Sequence, residues 1–396
     1  MSRSRAFFAA ATALVLPLAA QTSDAAQRPA EQRPAEQRPA ARKDLAPAFA
    51  EPDADVEAAV ARGLTWLASE QNKNGFWHGV VGSRGGGSGS YVPITSLDLQ
   101  IATGSGHLGV TALCGMAFLA GGHLPGRGAY GDRVLSAMNA VLSCIQENGV
   151  ISACGSRMYS HAFATLFLAE VYGNVADPRL KTGLERATNI IVDCQNAHGG
   201  WRYNAFCRDS DLSVTVCQLQ ALRAARNIGI HIPKQTIDRA VEYVARHQVP
   251  SGSAKGRYYY DIHGPRAFRK FDHYSIQAAA GTALLSAGIY EAALLDDVIQ
   301  FLEQDMANVM RYTPHHYYFW YGNYYASQVF YQADGLLRQG CFARYYATMR
   351  KHLLADQRDD GRWLNPTDEG PGDAFATAVA CIILQIPKQY LPIFQR

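Results

Sequence analysis

Two aspartates one residue apart, Asp209 and Asp211, are the sharpest chemistry-bearing feature of this chain. Carboxylates that close repel, so one holds its proton to unusually high pH and can serve as an acid. Polar residues recur at other predicted starts of apolar helices: Ser160-His161, Asp272-His273, Asn323 and Asp373. Capping the free N–H groups of a first turn is the plain alternative role for each of them. Tyr317-Tyr318-Phe319-Trp320-Tyr321, Tyr324-Tyr325 and Phe330-Tyr331 put many aromatic rings in one region. Ring faces stabilise cations, although rings at helical spacing also fill cores. The candidates to contact a substrate are therefore His161, His273, Tyr317, Trp320, Tyr324 and Asp373.

What positions these residues is a repeat that returns about every 50 residues. Its best copy is Arg62-Gly63-x-x-Trp66-Leu67-x-x-x-Gln71-x-x-x-Gly75-Phe76-Trp77, and a second runs from Arg186 to Gly199-Gly200-Trp201. A third ends in Gly361-Arg362-Trp363, and weaker copies surround Gln146 and Gln248. Upstream of the first Gln, Val56, Ala59, Val60, Gly63, Leu64 and Leu67 mark an amphipathic helix with one buried face. The Gln ends the helix, the Gly reverses the chain, and the aromatic residue packs the turn.

Between copies lie segments that are apolar nearly all round: 108–120, 162–171, 212–225, 276–289, 324–333 and 374–386. Such helices are buried on both sides. Six of them alternating with amphipathic helices predict an all-α (α/α)6 barrel, an alpha-alpha toroid, over residues 53–396. The Gly-rich stretch 82–90 is read as a loop inserted in the first pair.

The Gln…Gly-x-Trp copies resemble the prenyltransferase/squalene oxidase repeats of the terpenoid cyclase and protein prenyltransferase superfamily. Asp209-Ser210-Asp211-Leu212-Ser213 resembles the Asp-x-Asp-Asp-Thr motif of squalene–hopene-type cyclases, whose central Asp protonates an alkene. The resemblance gives Asp211 that role and makes Asp209 its supporting carboxylate. It also implies a terpene cyclase/mutase-like isomerase or lyase and an isoprenoid or other apolar small-molecule partner. Two departures stand: Leu212 replaces the last Asp, and one toroid stands where triterpene cyclases have two domains. The zinc-ligand positions of the prenyltransferase branch would fall on Tyr325 and Ser327, which do not suit zinc, so no metal and no cofactor are expected. Cys154-Gly155-Ser156-Arg157 lacks the Cys-Gly-Glu-Gln run of the thioester branch. A non-catalytic toroid, an envelope binding or scaffold module, is the alternative function.

At 48% apolar and 18% charged the chain is globular, and a formal charge of +3 gives no field for nucleic acid. Arg3 and Arg5, the apolar run 6–20 and the small residues Ser23, Ala25 and Ala26 read as a signal peptide over residues 1–26. Residues 27–52, built on Gln-Arg-Pro-Ala-Glu, read as a linker. The expectation is export to the periplasm or cell envelope, where a membrane-surface association is open and no protein partner is identified. Export permits disulfides, and Cys154 and Cys207 follow equivalent turns in adjacent pairs, so a Cys154–Cys207 bridge is expected.

Overall fold

A computed structural model of the protein describes residues 53–79, 81–84, 91–95, 97–154, 156–263, 268, 273–312, 318–365 and 371–394. The expected signal peptide and linker lie outside them. In chain order the helices are α1 (Ala54–Glu70), α2 (Leu97–Thr103), α3 (Leu108–Ala120), α4 (Gly131–Ser143), α5 (Met158–Val171), α6 (Pro178–Asp193) and α7 (Leu212–Asn227). Then follow α8 (Lys234–Arg246), α9 (Tyr274–Ser286), α10 (Ala292–Tyr312), α11 (Phe319–Ala333), α12 (Cys341–Asp356) and α13 (Asp373–Gln385).

The all-round apolar helices form the inner ring. α3 packs on α5, α5 on α7, α7 on α9, α9 on α11, α11 on α13 and α13 back on α3. Outside them stand α1, α4, α6, α8, α10 and α12, and α1 touches both α12 and α13, which closes the ring. The six apolar residues singled out in α1 are its buried residues, so the period of the sequence sets its inward face. The fold is an alpha-alpha toroid. Part of the expected glycine-rich loop is instead an antiparallel hairpin, β1 (Val81–Arg84) with β2 (Tyr91–Thr95). Among the described residues, no helix is long and apolar enough to cross a membrane.

The repeat residues hold the ring through hydrogen bonds that recur from copy to copy. Gln195 Nε2 donates to Gly199 O (2.9 Å) in its own turn and to Thr236 O (2.9 Å) of the next outer helix. Gln71 does the same to Gly75 O and Arg133 O, and Gln357 to Gly361 O and Ala59 O, so the last copy grips the first helix. Each repeat Trp donates its indole N–H back to the outer helix: Trp77 to Leu67 O, Trp201 to Ile191 O and Trp363 to Leu353 O, at 2.7–2.8 Å. Gly199 turns the chain at φ +96°, and a Cβ there would stand 2.3 Å from Arg239 O. Glycine is the residue that accepts both demands.

Two inner helices start earlier than their apolar runs suggest. α5 begins at Met158 and α11 at Phe319, so His161 and Asn323 lie one turn inside rather than at the mouth. Their polar groups are satisfied by other protein groups, which lets a polar residue sit within a buried helix. Asn323 Nδ2, for example, donates to Phe319 O at 3.1 Å.

The far end of the barrel is stopped by the chain's own C-terminal segment. Ile393 and Phe394 are buried, and the Phe394 ring lies 6.2 Å from that of Tyr331 on α11. Beside them sits Glu170, whose Oε2 has no hydrogen-bond partner among the described residues. Burial lifts its carboxyl from 4.5 to about 8, against the Ile393 N–H and the charge of Arg223. The folded state therefore holds a proton that the unfolded chain releases, and stability falls as pH rises between those two values. Glu170→Gln is expected to melt like the unmodified protein at pH 4 and to be more stable by about 3 kcal/mol at pH 7. Thermal melts across pH check this, and parallel pH profiles for the two proteins would contradict it.

Candidate functional site

The mouth of the barrel is set by a register that the repeats share. Four residues into five of the inner helices, α3, α5, α7, α9 and α13, counting from the opening position, one polar side chain accepts the N–H of the repeat's aromatic or apolar turn residue. Thr111 serves Trp77, Thr215 serves Trp201, Gln277 serves Tyr258 and Thr377 serves Trp363, at 2.8–3.2 Å. In α5 that place belongs to His161, whose Nδ1 accepts from Ile151 N at 3.0 Å. Its Nε2 lies 3.0 Å from Ala187 O, and burial lowers its pKa to about 4. Both ring nitrogens are thus engaged by the fold, and His161 serves as a strut beneath the mouth. Counting back, the rim residues are His107, Arg157, Asp211, His273 and Asp373.

Asp211 caps α7. Its Oδ1 accepts from Val214 N (2.9 Å) and Ser213 Oγ (2.6 Å), and its Oδ2 from Arg202 Nη1 (2.6 Å). The side chain is fully buried, and Tyr260 adds a further hydrogen bond. Burial pushes its carboxyl above the usual range, against the opposing pull of the Arg202 guanidinium. Asp209, by contrast, is 60% exposed and meets Arg202 Nε at 3.3 Å. Each of the two aspartates pairs with Arg202. The shared guanidinium opposes the mutual repulsion expected to drive acid chemistry.

A tyrosine cluster surrounds this pair. Tyr203 Oη lies 2.7 Å from Tyr260 Oη, Tyr159 donates to Ser213 Oγ, and Tyr321 donates to Ser213 O at 3.0 Å. The guanidinium carbons of Arg202 and Arg157 lie 4.7 and 5.5 Å from the Tyr203 ring centre. Burial raises the Tyr203 hydroxyl to about 12, so it stays protonated at neutral pH.

Beneath the mouth the lumen is filled. α5 and α11 stand opposite one another in the ring, yet their side chains meet across the axis. Tyr159 and Tyr321 rings are 6.4 Å apart, and Phe163 and Tyr324 rings 5.7 Å. Lower down, Cys217 Sγ lies 3.0 Å from Tyr325 Oη, Gln220 bonds Gln328, and Arg223 Nη1 donates to Gln332 at 3.3 Å. Cys217, Gln220, Arg223, Tyr325, Gln328 and Gln332 are all buried. A depression of about 430 Å³ does exist, but it lies among Ala68, Ala129, Tyr130, Asp132, Arg133 and Ser136, away from Asp211.

Of the remaining candidates, Trp320 is buried and donates to Leu364 O at 3.1 Å, and Tyr324 is buried in the axial ring stack. His273 precedes α9, 6.5 Å from the Tyr318 ring, and Asp373 Oδ1 accepts from Asn365 N at 2.8 Å. Tyr317 lies outside the described residues. Cys154 and Cys207 are not bonded to one another. Arg202, Arg157 and Tyr260 were missed. Aligning the repeats on the polar residue that accepts the turn N–H places Arg157 on the rim, but nothing in the sequence marks Arg202 as the partner of Asp211.

No family model matches the chain, and no curated protein matches it. Solved structures do. The type II terpene cyclase MstE from Scytonema, in complex with geranylgeranyl dihydroxybenzoate, aligns with a TM-score of 0.52 at 14% identity over 85% of this chain and 98% of that one. The alpha-1,6-mannanase GH76A of Salegentibacter aligns at 0.55 and 10% identity, over 85% and 99%. The family 76 mannosidase Bt3792 from Bacteroides thetaiotaomicron aligns at 0.55 and 11%, over 84% and 97%. At these identities the likeness is one of fold: the terpenoid cyclase-like alpha-alpha toroid, shared with glycoside hydrolases.

Proposed function

We propose that this protein is a non-catalytic toroid, exported to the cell envelope, that works as a binding or scaffold module through the polar rim of its barrel. The observation that carries this reading is the contact between opposite inner helices, Tyr159 to Tyr321 and Phe163 to Tyr324, directly beneath Asp211. A cyclase has to enclose a folded polyprenyl chain, which needs several hundred cubic ångströms of apolar space, roughly 300 or more. Here tyrosine, glutamine and arginine side chains occupy that place. Asp211 then acts as the electrostatic anchor of the mouth. Arg157, Asp209 and the mostly buried Arg202 are what the rim offers a polar partner.

A terpene cyclase-like isomerase or lyase is the second reading. It draws on the burial that keeps the Asp211 carboxyl above its usual range, as an acid needs, and on the cyclase among the structural neighbours. Incubation of the purified protein with squalene and with shorter polyprenyl substrates separates the two. The expected outcome, read by mass spectrometry of extracts, is recovery of each substrate unchanged. A cyclised product that forms only with active protein, and that vanishes in Asp211→Asn, would overturn the scaffold reading.

A further inference from the structure

Cysteines recur in the repeats, and the function just described uses none of them. Cys144 is the C-cap of α4 and Cys194 the C-cap of α6, the same place in consecutive outer helices. Each is followed by the repeat turn and then by a second cysteine, Cys154 or Cys207, on the segment leading to the next inner helix. The chain folds back in both cases. Ile145 pairs with Ile151, and Ser152 N donates to Cys144 O at 3.2 Å, two residues before Cys154. In the next repeat the Phe206 N–H donates to the Cys194 sulfur, one residue before Cys207.

A second observation points the same way. Among the described residues only four non-glycines have positive φ, and two of them are Cys154 (+48°) and Phe206 (+59°). Left-handed backbone at residues with a Cβ is disfavoured and persists only where something else holds the loop. Here the left-handed residue is the second cysteine itself in one repeat and its immediate neighbour in the next, and all four cysteines are free thiols in this structure. Burial raises the Cys144 and Cys194 thiols, the latter to about 11, and the neighbouring Cys154 or Cys207 adds to each shift.

We propose that Cys144–Cys154 and Cys194–Cys207 are two disulfide sites, each closing its own repeat turn when the folded protein meets a disulfide oxidant such as oxidised glutathione or an envelope dithiol oxidase. The partly exposed Cys154 or Cys207 thiolate attacks the oxidant's disulfide and releases one thiol. The second cysteine, losing its proton, then attacks the mixed disulfide and releases the other thiol. Two protein thiols are oxidised, one oxidant disulfide is reduced to two thiols, and one S–S bond forms per repeat. Cys114, Cys217, Cys341 and Cys381 are buried, and none of them stands beside a repeat turn with a second, partly exposed cysteine.

The pairing is readable by peptide mass. Trypsin places Cys144 and Cys154 in one peptide, Val134–Arg157, but separates Cys194 in Ala187–Arg202 from Cys207 in Tyr203–Arg208. The native full-length protein is treated with oxidised glutathione, then denatured, alkylated and digested without reductant. The expected result is Val134–Arg157 unalkylated and lighter by two hydrogens, together with Ala187–Arg202 linked to Tyr203–Arg208. A Cys154→Ser variant should lose only the first product. A link between Val134–Arg157 and Tyr203–Arg208, which is the Cys154–Cys207 pairing, would overturn the assignment. So would alkylation or glutathione adducts on all four cysteines.

Discussion

Asp211→Asn should lower the folding stability by about 3 kcal/mol, because it removes the buried partner of Arg202 and leaves that guanidinium only the solvated Asp209. The figure sits at the low end of such losses because Arg202 keeps 22% of its side chain in water. Asparagine preserves the size and can still accept from Val214 N, so the loss reports the charge more than the cap. Asp209→Asn is the internal control. Its carboxylate is mostly solvated, so its removal should change stability by less than about 1 kcal/mol. Urea unfolding of the two variants reads the contrast. Equal and small losses would make the Arg202–Asp211 pair energetically idle and restore Asp211 as a candidate acid.

The second large effect is expected at the repeat tryptophans. Trp201 is buried, and its indole N–H is bonded to Ile191 O. Trp201→Ala removes that ring area, opens a cavity and leaves the carbonyl unpaired, which together cost about 4 kcal/mol. Trp77→Ala and Trp363→Ala should cost similar amounts, since they make the same bond in their own repeats. Phe206→Ala, at an exposed ring, should change little by comparison. Thermal and urea melts measure all four. Losses below about 1 kcal/mol at the tryptophans would show that the repeat aromatics are not what binds the two rings together.

Which parts of this were legible in the sequence follows from the physics of each part. The toroid was legible because burial on both sides of a helix erases its polar face, and six such segments leave little other architecture. The repeat turns were legible because a clamping Gln, a reversing Gly and an indole are each required by type. The mouth was not. His161 resembles a catalytic residue by type, yet it occupies a place that Thr111, Thr215 and Thr377 fill elsewhere, a coincidence of register that only hydrogen bonds reveal. Asp209 and Asp211 suggested repulsion because Arg202 lies seven and nine residues upstream, outside any local pattern. The aromatic segment suits a cavity lining and a core alike by residue type. Only the distance between opposite helices decides between them, and distance across a barrel is the least local property a chain has.

The measurement that bears most directly on the filled lumen is xenon binding in crystals of the protein, since xenon occupies apolar cavities on the order of 150 Å³ that stay dry. No xenon site is expected on the barrel axis among Phe163, Tyr321, Tyr324 and Tyr325. Tyr324→Ala, which removes one ring of the axial stack, should create such a site and so prove that the gas reaches it. An ordered xenon atom on the axis beneath Asp211 in the unmodified protein would contradict the account and reopen the barrel as a substrate chamber.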